Sequence, residues 1–397
     1  MLKIIDTIEG SGFPLGFRFS ETNHRSSLVL GQEGSDSIIV ECRAMGDHQK
    51  ESIVTEGVDG PQWRMTSDEG PYLKGTDQAP FPLGFFNVGL QADLINRIIR
   101  IAQARSITID RLHLELDNLY SFSGSFFKGT GQGSADGVDI RIQITSKSDA
   151  NTIRNLIKDS IQASPVFASL QTPLLNTFAI YVNGKRRDVV GMHSSASKDK
   201  HDPFKKYITL PSPLENNNDQ TDLITKVPFV SLEEMQTMPS ESTRIGLCVK
   251  GYSELNESKS GVIAETTLER PVGSKFGFKT DEFSTQGTAP SGLSYLCAGI
   301  AFCYMTQLLR YSEYLKYKIS DIRMVQVNPF RLSGSITQNN LQAFADPVDT
   351  HLFLNGEEAD EVMQNLLTMG AKTCYLHAAL STQVIPQISL SLNGEKV

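Results

Sequence analysis

The sequence is poor in cysteine, in tryptophan and in clustered positive charge. It has five cysteines and one tryptophan in 397 residues. The thiols are too few and too unevenly placed for a disulfide scaffold, so a cytoplasmic protein with mostly reduced thiols is expected. Lys and Arg number 37 against 45 Asp and Glu, a net charge of −8. With no long Lys/Arg block, this balance argues against a nucleic-acid partner, because gripping phosphates needs clustered cations. The stretch Met1–Gly10 has one cation and no apolar run of signal-peptide length. The most apolar segment, Leu293–Leu309, approaches membrane-spanning length but contains Ser294, Gly299, Thr306 and Gln307 and runs into Arg310 and Glu313. A buried helix, and no membrane partner, is the expectation.

What the sequence does contain is a repeat. Ala79 to Asp93 aligns without a gap on Ala289 to Cys303, an offset of 210 residues. The offset places Gly89 on Gly299, Ile98-Ile99-Arg100 on Leu308-Leu309-Arg310, Asn155-Leu156-Ile157 on Asn365-Leu366-Leu367, and Asn183-Gly184 on Asn393-Gly394. One register held over about 105 residues identifies a duplicated domain. The copies are assigned to residues 1–184 and 216–397, with 185–215, rich in Lys, Ser, Asp and Pro, as a linker whose Lys/Arg run is a solvated face.

Each copy opens with strand-like segments such as Ser37–Cys42 and Thr243–Val249. A long helix follows Pro80 or Pro290, with proline in the first turn, where its missing N–H is harmless. Strands at Ile109–Leu116 and Val138–Ser146 match Ile319–Val327 and Thr350–Leu354. Helices at Asp149–Ile161 and Glu357–Met369, a further short helix and a last strand (Phe178–Val182; Gln387–Leu392) close each copy. Strands around a central buried helix predict an α+β fold.

The copies differ in kind at two positions. Cys303 has Asp93 as its counterpart, and Cys374 has Ser164; the separation is 71 residues in both copies. Both thiols are therefore missing from one copy together, as members of a functional pair would be. Cys374 stands where a short helix, Cys374–Leu380, should begin, with Thr373 or Cys374 as N-cap, just as Ser164 precedes Pro165. The positive end of a helix favours thiolate, a physical reason to expect redox competence at Cys374. Cys42, Cys248 and Cys297 read as packing residues.

The segment Leu293–Cys303, followed by a second cysteine at the start of a short helix, resembles the OsmC/Ohr family of thiol-dependent hydroperoxide reductases. The stretch Asp59–Tyr72 with Ala79–Pro82 is similar to the opening of a larger OsmC-like subgroup. The resemblance implies tandem OsmC-like domains forming an intramolecular pseudo-dimer, with antiparallel sheets wrapped around long central helices. It implies a reactive Cys303 and a resolving Cys374 in a pocket completed by the degenerate copy. It further implies an organic hydroperoxide as substrate, an external dithiol as reductant and no cofactor. The family holds an activating Arg with a Glu roughly ten residues before the reactive cysteine, where this chain has Leu293 and Ser294. Candidates for the Arg are Arg64, Arg244 and Arg270, with Glu69 or Glu282 as partner. Two alternatives stay open: a non-catalytic protein binding a small apolar ligand, and a thiol oxidoreductase acting on something other than a peroxide.

Cys374-x-x-His377 raises the question of a metal. Structural zinc is held by two close ligand pairs, and the seven histidines supply no second cluster, so no metal is expected. His377, one turn from Cys374, is a candidate to modulate it. Gly129–Ser134 lacks the lysine of a phosphate-binding loop and reads as a turn, and no nucleophile-elbow motif is present.

Overall fold

The computed structural model describes residues 6–22, 24–126, 128–208, 212–214, 223–227, 246–256, 261–270, 273–285 and 287–397. Short helices α1 (Ile8–Ser11) and α2 (Ser27–Leu30) lie among strands β1 (Gly16–Arg18), β2 (Gly34–Ala44), β3 (Lys50–Glu56) and β4 (Gln62–Ser67). Then come the long helix α3 (Pro82–Ala104), β5 (Arg111–Ser123), β6 (Gln132–Thr145), α4 (Ala150–Gln162), α5 (Pro165–Gln171), β7 (Thr177–Val182) and β8 (Lys185–Arg187). After α6 (Phe204–Ile208) and β9 (Ile224–Val227) the series begins again. It runs through β10 (Leu247–Leu255), β11 (Val262–Arg270), β12 (Lys275–Thr280), the long helix α7 (Gly292–Leu315), β13 (Ile319–Ser333), β14 (Gln342–Ala345) and β15 (Asp349–Gly356). It ends with α8 (Asp360–Thr373), α9 (Tyr375–Ser381), β16 (Gln387–Leu392) and β17 (Glu395–Lys396). The fold is α+β.

The strands form two sheets, ordered β1-β4-β3-β2-β13-β15-β7-β8, with β14 on β13, and β17-β16-β6-β5-β10-β11-β12-β9. Each sheet therefore takes its opening strands from one copy and its central hairpin from the other. Neither sheet is wholly antiparallel: β7 runs parallel to β15, and β16 parallel to β6. The departure from the antiparallel expectation has a plain cause. After β6 the chain passes through α4 and α5 and enters the opposite sheet beside β15, and such a crossover permits parallel pairing where a tight hairpin cannot.

Between the sheets lie the two long helices. Helix α7 packs on β2, β3 and β13, helix α3 on β10, β11 and β5, and the two pack on each other. Helix α7 is long and apolar enough to cross a membrane, but 94% of its most apolar window is buried inside the protein. The helices meet at the duplicated glycines. A Cβ on Gly89 would stand 2.6 Å from the Leu296 Cβ and 2.8 Å from the Gly292 carbonyl. One on Gly299 would stand 2.8 Å from the Phe86 amide nitrogen. Phe85 seals this crossing against Phe302 and Phe278, at centroid distances of 5.1 and 5.3 Å.

The segment expected as a free linker is partly built into the fold. Lys185–Arg187 is β8, paired to β7, with Arg186 bridging Asp199 and Arg187 bridging Asp360 at 2.6 Å. Further on, Tyr207 is buried and donates to the Glu41 carbonyl, and Asp202 pairs with Arg323 at 2.7 Å. One buried ring and these ion pairs hold the segment onto the first sheet and onto α8. Replacing Gly299 by Val should lower the unfolding free energy by about 2–3 kcal/mol through overpacking, measured by urea denaturation.

Candidate functional site

Helix α7 places Cys303 one turn beyond the glycine crossing, and Cys374 is the N-cap of α9, with φ −78° and ψ 117°. Ser164 holds the same position on α5, but its hydroxyl accepts from the Phe167 amide, with Pro165 in the first turn, whereas Cys374 makes no side-chain cap bond. Both cysteines are free thiols. They are neighbours, close enough for Cys303 to act on the Cys374 thiol. Cys303 is 2% exposed and Cys374 fully buried. The thiolate expected at the helix start is not what burial gives. Loss of hydration, with Cys303 adding to it, pushes the Cys374 thiol well above the usual thiol range, against the opposing pull of the Leu376 and His377 amides. Helix α9 is too short for its dipole to win.

A cavity of about 120 Å³ opens onto Cys303. The second copy contributes Thr306, Gln307, Arg310 and Tyr375; the first contributes Glu69, Tyr72 and the Phe81–Leu83 turn. Residues 303, 306, 307 and 310 share one helical face. Arg310 bonds Gln307 at 3.1 Å and lies 4.8 Å above the Phe126 ring. Burial, abetted by Glu69, raises the Tyr72 phenol, and burial raises that of Tyr375 to about 12, so both are hydroxyl donors at neutral pH. Glu69 accepts from Thr306 at 2.5 Å and from buried Lys50 at 3.1 Å.

The counterpart residues meet in the same way. Ser164 donates a short hydrogen bond to Asp93, and Arg97 donates to Asp93 at 2.9 Å, all in the interior. Glu282 faces this pair as Glu69 faces the thiols. Ser67-Asp68-Glu69 and Thr280-Asp281-Glu282 are equivalent: the Asp68 amide donates to the Pro80 carbonyl and the Asp281 amide to the Pro290 carbonyl, at 3.2 and 3.3 Å. Asn96 donates to Glu282 at 3.2 Å, the place taken by Thr306 in the other site. Charge and amide bonds occupy one site, two sulfurs the other.

The remaining candidates lie elsewhere. Arg64 pairs with Glu51 at 2.6 Å and stacks near Phe13 and Phe17, so neither Glu69 nor Glu282 is its partner. Arg244 lies outside the described residues. Arg270 ends β11 opposite Cys248, and its side chain is likewise outside the description. Ser294, nine residues before Cys303, donates to Glu56 at 2.9 Å, and Glu56 holds Arg25 at 2.7 Å. His377 packs between Phe178 and Tyr304 rather than beside the Cys303 cavity. Cys42 and Cys248 are strand residues and Cys297 a helix residue, all buried. Among the described residues no cluster of three or more His, Cys, Asp or Glu side chains could hold a metal. Sequence reasoning missed Arg310, Thr306, Tyr72 and Tyr375. The helical spacing from Cys303 was the signal for the first two, and adjacency to Cys374 for the last.

No family model matches the chain, and no curated protein matches it. Among solved structures it is similar to an OsmC-like hydroperoxide resistance protein from Jannaschia sp. CCS1, at 19% identity and a TM-score of 0.26, over 35% of this chain and 89% of that one.

Glu282 offers a test of the charged site. Burial, with repulsion from Asp93 and partial relief from Arg25, raises its carboxyl from 4.5 to about 7. Folding then takes up a proton between these values, so stability should fall across that window as pH rises, by about 3 kcal/mol. Urea titrations at pH 5 and 8 should show this slope in the wild type and not in Glu282→Gln.

Proposed function

We propose that the chain is a thiol-dependent hydroperoxide reductase built from two fused OsmC-like domains. On this reading the second copy carries the reacting thiols and the first completes their pocket. The observation that carries it is the proximity of Cys374 to Cys303, which lines a cavity walled by both copies. The interleaved sheets support the pseudo-dimer reading, since each long helix packs on a sheet built from strands of both copies.

Cys303, the sulfur that lines the cavity, is the attacking group. Its thiolate takes the distal peroxide oxygen, the O–O bond breaks, and the alcohol leaves with a proton, giving sulfenic acid at Cys303. The Cys374 thiol then displaces water from that sulfur, forming a disulfide. An external dithiol restores both thiols by exchange and is itself oxidised to a disulfide. A high thiol pKa suits Cys374 to this second role, in which it waits protonated until its neighbour is oxidised. Arg310 stands for the family's activating arginine, its charge facing the oxygen that leaves as alkoxide, and the Tyr72 and Tyr375 hydroxyls are further donors. A volume of about 120 Å³ suits a short alkyl hydroperoxide rather than a long-chain one.

Reduced protein treated with one equivalent of tert-butyl hydroperoxide should form a Cys303–Cys374 disulfide within seconds, read by peptide mapping. Cys303→Ser should abolish it, and Cys374→Ser should leave sulfenic acid trapped by dimedone. Arg310→Met should slow oxidation about tenfold or more with the disulfide product unchanged. Oxidation no faster than that of a free thiol would favour the binding-protein reading, for which the complete burial of Cys374 speaks.

A further inference from the structure

Beside the two thiols stands a tyrosine that the chemistry above leaves unused. Tyr120, on β5 of the first copy, is fully buried in the core that also holds Cys303 and Cys374. Strand pairing sets it opposite Leu247, and its ring packs on Tyr375 with centroids 5.6 Å apart. Leu247 and Tyr375 both line the Cys303 cavity, so Tyr120 stands directly behind that wall, closed to solvent. Helix α9, which Cys374 caps, packs on β6, the hairpin partner of β5.

The Tyr120 hydroxyl has no hydrogen-bond partner among the described residues and so bonds neither sulfur. Both sulfurs are nonetheless close enough to act on it. Burial raises the phenol well above its usual range, and Cys303 and Cys374 add to the effect. Tyr304, which also feels Cys374, is different: its hydroxyl donates to the Leu367 carbonyl at 3.1 Å. An unpaired buried hydroxyl destabilises a fold, and native interiors leave few of them. The fold does not demand this one. At the 210-residue offset Tyr120 falls on Phe330, a buried ring without a hydroxyl.

The step in need of a proton carrier is disulfide formation. The sulfenic oxygen on Cys303 departs on the side away from the attacking sulfur, and Cys374 begins as a thiol. Its proton must pass around the sulfur pair to the leaving oxygen, in a site too dry to hold a free thiolate or hydroxide. We propose that the Tyr120 hydroxyl relays this proton, its oxygen accepting from the Cys374 thiol while its own proton goes to the oxygen leaving Cys303. The S–S bond forms as the S–O bond breaks, water departs, and Tyr120 ends as the neutral phenol it was at the start. The phenol never ionises, in keeping with its burial. The inference rests on the hydroperoxide-reductase reading and assigns a residue to its second step.

The test is single-turnover kinetics of the reduced full-length chain with tert-butyl hydroperoxide. Sulfenic acid is read by dimedone trapping and the disulfide by peptide mapping of quenched samples. Tyr120→Phe installs the ring that the twin position already holds, so the variant should fold and melt no lower than the wild type. Its sulfenic acid should form at the wild-type rate, while its disulfide forms about a hundredfold more slowly and the dimedone adduct accumulates. Disulfide formation in the wild type should also slow in D2O, since a proton moves in that step. An unchanged disulfide rate in Tyr120→Phe, or a wild-type rate indifferent to D2O, would overturn the relay and leave the reductase reading standing. A variant that melts lower and loses both steps would overturn it as well, by making Tyr120 a packing residue. Absence of sulfenic acid in the wild type would sink the reading and the relay together.

Discussion

The close crossing of the two long helices is the constraint on which the rest depends. Gly89 and Gly299 leave no room for a side chain where α3 and α7 meet, and so set how near the helices lie. One turn beyond each glycine stands Asp93 or Cys303, so the crossing also positions both sites. Each is then faced by an acidic residue carried on the loop after a strand of the other copy: Glu69 by Thr306, Glu282 by Asn96. Backbone packing thus fixes two equivalent locations, and side-chain chemistry alone makes them different.

That difference is one of polarity. At the first location a carboxylate, a hydroxyl and a guanidinium bond one another in the interior, while the Nε and Nη1 of Arg97 have no partner among the described residues. At the second, two thiols replace the carboxylate and hydroxyl. Thiols bond weakly and tolerate burial without strong partners, which leaves the adjoining wall free to be a cavity. The buried Lys50–Glu69 pair beside it supplies an anchored carboxylate that accepts from Thr306 on the Cys303 face of α7.

Much of this was legible in the sequence, for identifiable reasons. The repeat register located the helix starts, the strand Gln387–Leu392 and the serine cap of α5, because these depend on local spacing and on proline or serine at fixed offsets. It also brought Cys303 and Cys374 forward together. Strand partners were not legible. Alternating apolar residues in β2 say which face is buried but not that its neighbour is β13, some 290 residues away. The role open to Arg310 went unread because it was matched with Arg100 as a repeat position, without counting helical turns from Cys303. Arg64 was a candidate by its position in the opening segment, yet Glu51, on the neighbouring strand β3, already holds it. His377 drew notice for its spacing from Cys374, whereas its surroundings of Phe178 and Tyr304 arise from tertiary packing that spacing does not encode.

The interleaving of the two sheets bears on how the chain comes to be folded at all. When the first copy has left the ribosome, one long side of β2 and one of β5 still await β13 and β10, which are synthesised later. Unpaired strand edges of this length invite pairing with any other nascent chain. A second molecule could supply the missing hairpins as well as the first, producing a linked pair with every contact native and only the connectivity exchanged. A tether between the copies, carrying Tyr207 onto the sheet it must reach, raises the local concentration of the correct partner and turns that competition in favour of the single chain.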